Sequence, residues 1–372
     1  MPFTPFELER WQSQWEHRVR ANLSESGVHP MSIAELLVVA DTDPDALLRL
    51  RMGYNQGDGS DELRHTIASM YPGASGAQVT VTVGSSEANF VVCWTLLEPG
   101  DHVAILGPAY MQTWGLARTF GAEVTTFALD PRREWQPDRA EMQRAIRPGT
   151  KLVIVTNPNN PTGQTLSDDS RAALVERTSA VGAWLLADEV YRGAERDGKA
   201  TPSFWDTAER VVVVSGLSKA YGLPGLRIGW IVGPPDLKDA VWRRHDYTVI
   251  CPNPASDFLA RCALTHRERI WQRTRDILNA NYPILDEWLR SFDGLFDWRA
   301  PACGAICFAR YESSMSALDV VERVRTEADI LLVPGEHFHM PGHFRFGYGN
   351  EQQELRDALV TLKPTLERLL RD

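Results

Sequence analysis

The chain has 372 residues, of which 43% are hydrophobic, and its formal net charge at pH 7 is −10. This length and apolar content predict a folded protein with a large core, organised as two domains or as one domain with a sizeable appendage. The acidic balance argues against a nucleic acid or an anionic membrane as the main partner, because both select clustered lysine and arginine.

The first residues, MPFTPFELERWQ, lack the basic and then apolar layout of a signal peptide, and no apolar run is long enough to cross a bilayer. We therefore expect a cytoplasmic protein. The five cysteines are scattered and never form a CxxC pair, which predicts free thiols and neither a disulfide framework nor a metal site. They are Cys93, Cys251, Cys262, Cys303 and Cys307.

Seven short apolar runs follow one another between residues 79 and 233, separated by helix-compatible segments. Several are apolar throughout, as strands are when helices cover both faces of a sheet. The sequence therefore predicts an α/β fold with a seven-stranded, mostly parallel sheet between two layers of helices. The predicted strands span residues 79–84, 102–106, 123–129, 152–157, 183–189, 211–216 and 228–233.

The pattern changes after Pro234 to long amphipathic helical stretches, and then to short strand-like pieces and a final helix. The helical stretches lie at residues 256–292, and the strand-like pieces at 296–310, 330–333 and 344–348. We predict three parts: an N-terminal segment, 1–49, that joins the small domain and covers the site, a large domain, 50–255, and a small C-terminal α+β domain, 256–372.

Lys219 stands in the segment SGLSKAYGLPGLRIGW, between two apolar strands. Ligands of open α/β sheets bind outside the carboxyl ends of strands, where a desolvated lysine is readily deprotonated and can attack an aldehyde. Arg227 follows eight residues later in a glycine-flanked turn, where a guanidinium can hold a phosphate with two hydrogen bonds. Considered singly, either residue would be interpreted as a solvated surface charge.

Three further segments place polar groups at strand ends. VTVGSSEA ends a strand and opens a helix, so Ser85 and Ser86 would present hydroxyls to an anion, although such serines also serve as plain helix caps. NPNNPTG is either a simple turn or a loop that offers the Asn160 amide to a ligand. In LLADEVY, Asp188 ends an apolar strand, where a carboxylate needs a cation, either a salt-bridge partner or a protonated ring nitrogen of a cofactor.

Three motifs together resemble, in order and spacing, the fold-type I pyridoxal-phosphate (PLP) enzymes: NPNNPTG, DEVY, and SK followed by Arg227. Within that group they resemble the class I/II aminotransferases of the aspartate aminotransferase superfamily. The resemblance covers nearly the whole chain. It implies PLP as the cofactor, an α-amino acid as the substrate, and a homodimer with shared active sites.

The resemblance also implies a role for each matching residue. Lys219 would bind the cofactor as a Schiff base and carry protons, and Asp188 would pair with the pyridinium nitrogen. Tyr191 and Asn160 would donate to the phenolate oxygen. The phosphate would be held by Ser85, Ser86, Ser218 and Arg227. Gly216 stands where the family often has a hydroxyl residue, so Ser215 or Ser218 would supply that hydroxyl.

Three more residues match family positions. Tyr110 in GPAY would stack on the pyridine ring, and Tyr54 in YNQGDGS would reach the phosphate of the neighbouring subunit. Arg345 in HFRFGYG would clamp the α-carboxylate of the substrate with two parallel hydrogen bonds. The presence of Arg345 argues for an α-amino acid substrate.

The segments ESGVHP, SSEA and SKAYGLPGLR also resemble capreomycidine synthase-like enzymes, which keep the aminotransferase fold but cyclise or eliminate substituents on an amino acid. This resemblance implies that Gly27 and His29 lie at the substrate. His29 would act there as a second acid or base beside Lys219, unless it is a solvated loop histidine.

The sequence thus predicts an aminotransferase for an α-amino acid, with a PLP-dependent cyclase or lyase of specialised metabolism, on a substrate such as a hydroxyarginine, as the alternative. A non-catalytic relative would have lost Lys219 or Arg345, and both are present. A nicotinamide dehydrogenase is disfavoured because no GxGxxG follows a strand. The sequence leaves open whether transamination, elimination or cyclisation follows removal of the α-proton.

Overall fold

A computed structural model describes residues 4–371 of the chain. Fourteen strands in this range form three sheets. They are β1 (Ala21–Asn22), β2 (Val79–Thr82), β3 (His102–Gly107), β4 (Glu123–Asp130), β5 (Gln136–Pro137), β6 (Thr150–Thr156), β7 (Trp184–Asp188), β8 (Val211–Gly216), β9 (Gly229–Val232), β10 (Phe296–Trp298), β11 (Ile306–Tyr311), β12 (Ile330–Leu331), β13 (Val333–Pro334) and β14 (His343–Gly347).

Thirteen α-helices lie in the same described range, and none of them combines the length and the apolar character that crossing a bilayer requires. They are α1 (Glu7–Trp15), α2 (Ile33–Val39), α3 (Pro44–Leu48), α4 (Asp61–Ala68), α5 (Gly84–Leu96), α6 (Met111–Thr119), α7 (Arg139–Ala145), α8 (Asp168–Ala180), α9 (Pro235–His245), α10 (Pro254–Thr265), α11 (Arg267–Arg290), α12 (Ala317–Ala328) and α13 (Gln352–Arg371). Four short 3-10 helices span Gly76–Gln78, Pro131–Arg133, Pro224–Leu226 and Gly335–Phe338.

The large sheet has the strand order β2-β9-β8-β7-β6-β3-β4-β5. The pairs β4/β3, β3/β6, β6/β7 and β7/β8 are parallel, whereas β9 runs antiparallel to both of its neighbours. The predicted α/β fold with a mostly parallel sheet is confirmed, and all seven predicted strands are present. An eighth strand, β5, adds two residues antiparallel to β4 at one edge.

Apolar cores cover both faces of this sheet, which explains why its strands are apolar throughout. In β8, Val212 and Val214 join a core with α5 and α9, while Val211 and Val213 join the larger core on the opposite face. All four side chains are buried. Polar groups in these strands are therefore tolerated mainly at the strand ends, and the site residues lie there.

The small sheet has the order β10-β11-β14-β13 and is antiparallel. Phe344 and Phe346 of β14 pack in its apolar core, where Trp288 of α11 meets Phe346 edge to face at 5.8 Å. The Trp288 indole N–H donates to the Leu359 carbonyl of α13 (2.8 Å), which ties both helices to this face. Arg345, between the two phenylalanines, consequently faces the large sheet.

The N-terminal segment contacts the C-terminal part of the chain. Strand β1 pairs parallel with β12, and the Trp11 indole N–H of α1 donates to the Leu332 carbonyl (3.0 Å). These contacts support the proposed attachment of residues 1–49 to the small domain. The proposed boundary at 255/256 falls in the first turn of α10. The Asp257 carboxylate of this helix accepts from the Ser60 hydroxyl (2.7 Å) of the large domain. We therefore propose that the division lies instead within α11.

Candidate active site

One pocket lies at the carboxyl ends of the parallel strands, between the large sheet, β14 and the N-terminal segment. It is lined by these predicted site residues: Ser85, Ser86, Tyr110, Asn160, Asp188, Tyr191, Ser218, Lys219, Arg227 and Arg345. Strands β6, β7 and β8 each end there, so residues far apart in sequence meet at one sheet edge.

Lys219 lies in the loop after β8, and its Nζ is 3.5 Å from Oε2 of Glu25. Burial opposes the charge on this lysine, but Glu25 and Tyr191 outweigh that effect and raise its pKa. The charge of Lys219 in turn lowers the pKa of Glu25, and burial of the carboxyl opposes this effect only in part. The two side chains therefore form an ion pair within the pocket.

Asp188, the last residue of β7, is almost completely buried. Burial raises the pKa of its carboxyl, although the Asn89 amide (3.0 Å) and the Val190 N–H (3.1 Å) donate to it and oppose the rise. A cation beside Asp188 would stabilise its ionised form. Asn89, on α5, orients the carboxylate and was not identified from the sequence.

An anion cradle forms where α5 begins at Gly84, and it includes Ser85, Ser86 and the Arg227 guanidinium. Gly84 has a φ of +78°, and a Cβ there would overlap the Arg227 guanidinium. A Cβ on Gly229 would overlap the Gly84–Ser85 backbone. The two glycines therefore allow strand β9 and an arginine to approach the positive end of the helix.

Two tyrosines line the pocket near Lys219. Tyr191 follows β7 and is buried, and its hydroxyl has no hydrogen-bond partner among the described residues. Tyr110, just before α6, donates its hydroxyl to Glu9 of α1. Helix α1 thus reaches over the pocket and holds the Tyr110 ring.

Arg345 is 1% exposed and extends from β14 towards the loop after β6. Its guanidinium donates to Oδ1 of Asn160 (2.9 Å) and to the Ser24 carbonyl (2.5 Å). The Gln12 amide of α1 donates to the same carbonyl (3.0 Å). Arg345 Nε has no partner among the described residues, which leaves a donor for a ligand.

Four predicted residues lie elsewhere or contribute only backbone. Ser215 is buried and donates its hydroxyl to the Glu189 carbonyl (3.2 Å), and it does not line the pocket. Tyr54 is 90% exposed in the single chain. The backbone of Gly27 packs against Lys219. His29 faces Arg273 and Glu351 outside the pocket. The geometry therefore gives no support for His29 as an acid or base.

Acidic residues of the pocket were missed by the sequence analysis. Glu9 of α1, Glu16 directly after α1 and Glu25 of the following segment line it, together with Ser26. One signal was available: Glu9, Gln12 and Glu16 have the spacing of one helix face, and all three face the pocket. Glu25 had no such signal, because only the fold brings it to Lys219.

The fold and these residues define a class of protein. A family model described as "Aminotransferase class I and II" matches residues 30–362. The chain belongs to this family and is an enzyme whose cofactor is PLP.

Three similar proteins include an aminotransferase, a synthase and a cyclase. Capreomycidine synthase of Streptomyces vinaceus is 30% identical over 98% of this chain and 94% of its own length. The crystal structure of a PLP-dependent aminotransferase from Streptococcus suis 89-1591 has a TM-score of 0.93 and 32% identity, and the match covers 99% of both chains. The PLP-dependent cyclase OrfR has a TM-score of 0.91 and 30% identity over 100% of this chain and 98% of its own.

The described residues suit PLP. Four buried polar atoms on pocket residues have no partner within the described chain: Tyr191 Oη, Thr156 Oγ1, Asn89 Oδ1 and Arg345 Nε. Unpaired buried polar atoms are costly unless a ligand meets them. Together with the anion cradle at one end and the buried Asp188 carboxylate, they fit a phosphorylated, nitrogen-containing ring with an amino acid bound beside it.

Proposed function

We propose that this enzyme acts on an α-amino acid with a cationic, guanidinium-type side chain, and that it eliminates a β-substituent and closes a ring. The observation that carries the substrate charge is the group of three carboxylates, Glu9, Glu16 and Glu25, in the same pocket as Lys219 and Arg345. The ring closure is supported by the similarity to capreomycidine synthase and to the PLP-dependent cyclase OrfR. A guanidinium pairs with carboxylates through charge-assisted hydrogen bonds, so these groups favour a cationic substrate.

The proposed cofactor contacts follow the pocket geometry. Ser85, Ser86, Ser218 and Arg227 would hold the phosphate, with Tyr110 against the ring. Asp188 would face the ring nitrogen, and Tyr191 with Asn160 the phenolic oxygen. When bound through Lys219, PLP supplies an electron sink that makes the α-proton of an amino acid acidic.

The chain itself orients the substrate and moves the proton. Arg345 would hold the α-carboxylate with its Nε and a terminal nitrogen, in place of Asn160 or Ser24. Lys219, released from Glu25, would take the α-proton. Glu25 would then be free to accept hydrogen bonds from the substrate cation. The Glu25 carboxylate would thus pair with Lys219 before the substrate binds and with the substrate guanidinium afterwards.

The charge of the pocket disfavours dicarboxylic substrates. Among the described residues lining it, the cations are Lys219, Arg227 and Arg345, and the cofactor and the α-carboxylate would occupy all three. A second substrate carboxylate would therefore meet Glu9 and Glu25 without a partner. This argues against glutamate and aspartate as amino donors.

The reaction needs one substrate and balances without a second. Lys219 would take the α-proton and pass it to the departing β-hydroxyl, which would leave as water. A guanidine nitrogen would then add to the β-carbon and lose a proton to Lys219. Lys219 would return a proton to the α-carbon. The net change is the loss of one water molecule, as expected for a substrate such as a β-hydroxyarginine in specialised metabolism.

Transamination is the second candidate. It would use the same removal of the α-proton by Lys219, and water would then release a keto acid. PLP would supply the temporary acceptor for the amino group, which a second keto acid would remove. The similarity to the aminotransferase from Streptococcus suis supports it. The two candidates differ in the product, a cyclic amino acid or a keto acid.

We also propose a cytoplasmic homodimer. Large apolar side chains in two segments are strongly exposed in the single chain: Leu48, Met52, Tyr54, Tyr247 and Ile250. The segments touch, since a Cβ on Gly57 would lie 3.2 Å from the Ile250 carbonyl. A second subunit would cover them, and Tyr54 would then be placed to reach the partner's site. The five unpaired cysteines suit a reducing compartment.

The substrate charge is tested with Glu25→Gln, which keeps the shape of the side chain and removes its charge. Arginine and citrulline, its neutral isostere, are titrated into the holoenzyme, and binding is followed by the visible absorbance of the cofactor. We expect arginine to lose about tenfold or more in affinity while citrulline changes little, because a charge-assisted hydrogen bond is removed. Cofactor occupancy should be unchanged.

Glu268→Gln is the matched control, because Glu268 is 72% exposed and does not line the pocket. It should behave as wild type. Equal affinity of the wild-type enzyme for arginine and citrulline would show that the pocket carboxylates do not select a cation, and would overturn the proposal.

A further inference from the structure

The segment from Leu23 to His29 lies between the two functional halves of the pocket. On one side, a Cβ on Gly27 would lie 3.2 Å from the Ser218 carbonyl and 3.6 Å from Cδ of Lys219. On the other side, the Gly347 N–H donates to the Leu23 carbonyl (2.7 Å). Glu25 and Ser26 point into the pocket from this segment.

Glycines on the strand side make this approach close. A Cβ on Gly347 would overlap the Glu25 carbonyl, and one on Gly349 would overlap the Gly27 carbonyl. The segment is thus packed directly on the backbone that follows Arg345. A shift of the segment would move Glu25, Ser26 and the Ser24 carbonyl that accepts from Arg345.

His29 fixes the outer end of the segment. Its N–H donates to the Gly349 carbonyl (2.6 Å), and the Arg273 guanidinium of α11 donates to its carbonyl (3.1 Å). Its ring Nδ1 lies 3.0 Å from a terminal nitrogen of Arg273 and 3.0 Å from Oε1 of Glu351. The ring is 22% exposed, whereas the Glu351 side chain is 63% exposed.

These two neighbours make opposite demands on Nδ1. The guanidinium can only donate, so it requires a bare nitrogen, whereas the carboxylate can only accept, so it requires a proton there. A neutral ring with its proton on Nε2 satisfies Arg273, whereas a ring with a proton on Nδ1 satisfies Glu351. We propose that His29 is a positioning residue whose neutral, Nε2-protonated ring is a latch that helps to fix the segment carrying Glu25 to α11, and that protonation of the ring breaks this side-chain contact and loosens the segment.

The charges around the ring support the neutral state at neutral pH. Burial, and then Arg273, lower the pKa of His29, and three carboxylates oppose this effect: Glu351, Glu35 and Glu354. Glu35 lies on α2, Arg273 on α11 and Glu354 in the first turn of α13, and Glu351 directly precedes α13. As the pH falls through the lowered pKa, Nδ1 gains a proton, ceases to accept from Arg273 and becomes like-charged with it.

Two variants at this position separate positioning from acid–base catalysis. Asparagine can place its amide oxygen near the position of Nδ1 and does not titrate, whereas alanine removes the acceptor. The affinity of the holoenzyme for arginine is measured from the cofactor absorbance between about pH 8 and pH 5.5, a range that spans the titration of a histidine. Exchange of the arginine α-proton with deuterated solvent is measured in parallel.

His29→Ala should weaken arginine binding about tenfold at the high-pH end, with cofactor occupancy unchanged, because the bond from a charged donor is lost. His29→Asn should bind and exchange as wild type there. Wild type should lose affinity as the pH falls, and His29→Asn should not.

Three results would overturn the latch: unchanged affinity in His29→Ala, equal losses in both variants, or an acid-side loss that persists in His29→Asn. The inference uses the proposed substrate class, since Glu25 is the group being positioned. Failure of the latch can be distinguished from failure of the proposed substrate class. If arginine does not change the cofactor absorbance of the wild-type enzyme, only the substrate class is overturned. The same titrations then test the latch with the amino acid that does shift the spectrum.

Discussion

Glu189, next to Asp188, shows what burial does to a single carboxyl. It is 1% exposed, and its Oε1 accepts from the Ser203 hydroxyl (2.8 Å) and the Phe204 N–H (2.7 Å). Its Oε2 has no partner among the described residues. Burial raises the pKa of Glu189 to about 7, even though Arg192 and Arg171 act to lower it.

This shift gives stability a pH dependence. Folding favours the protonated carboxyl. The contribution of this carboxyl to the free energy of unfolding is therefore complete below its ordinary pKa of 4.5 and is lost as the pH rises through about 7. Glu189→Gln keeps an acceptor for Ser203 and Phe204 and cannot ionise. Above neutral pH the variant should be more stable than wild type, by on the order of 2–3 kcal/mol.

The measurement is urea unfolding of wild type and Glu189→Gln at several pH values. Glu176→Gln, on the exposed face of α8, is the control and should follow wild type. Parallel pH dependences for wild type and Glu189→Gln would contradict the assignment.

At the residue scale, the sequence identified the groups that follow strands and missed those brought in by tertiary packing. Lys219 and Asp188 were predictable because a strand end fixes the direction of the chain there. Glu25 and Asn89 were not, since an isolated Glu or Asn carries no sign of which distant group it will meet. His29 was chosen for its chemistry, whereas the fold turned its ring outward to α11.

At the element scale, β2, α5 and β9 approach one another closely at the proposed cofactor site. Gly84 begins α5 with a φ of +78°, a backbone conformation that costs free energy in residues other than glycine. The Arg227 guanidinium occupies the space where a side chain on Gly84 would lie. Close approach of the three elements, and not only the arginine, therefore forms the proposed phosphate cradle.

Gly84→Ala should weaken PLP binding by about tenfold or more, because the backbone is strained and Arg227 is displaced. The dissociation constant of PLP is measured by dialysis and visible absorbance. Gly225→Ala is the matched control, since a Cβ there meets no atom within 4 Å. Unchanged PLP affinity in Gly84→Ala would show that the cradle does not bind the phosphate.

Element prediction succeeded where local pattern determines structure. The strands of the large sheet were readable because they are apolar throughout, and helix stretches because of their periodicity. Helix α12 was missed even though Ser316 caps it, since it is short and lies between strand-like pieces. The two-residue strand β5 has no pattern of its own and forms only by pairing with β4.

At the scale of the whole molecule, the N-terminal segment connects the two proposed domains around the pocket. Helix α1 and its C-cap supply Glu9 and Glu16, and the segment after them supplies Glu25 and contacts both Lys219 and the β14 strand of Arg345. In the proposed function, the charge that selects the substrate would therefore come largely from this segment, whereas the residues for the cofactor and the α-carboxylate would come from the two proposed domains.

The measurement that tests this account most directly is product analysis after the holoenzyme is mixed with β-hydroxyarginine, arginine and glutamate, with Lys219→Ala as the inactive control. We predict that β-hydroxyarginine is converted to an amino acid lighter by one water molecule, that the cofactor absorbance returns to its starting form, and that Lys219→Ala has neither the absorbance nor the activity. Conversion of glutamate to its keto acid, with β-hydroxyarginine left unchanged, would contradict the account.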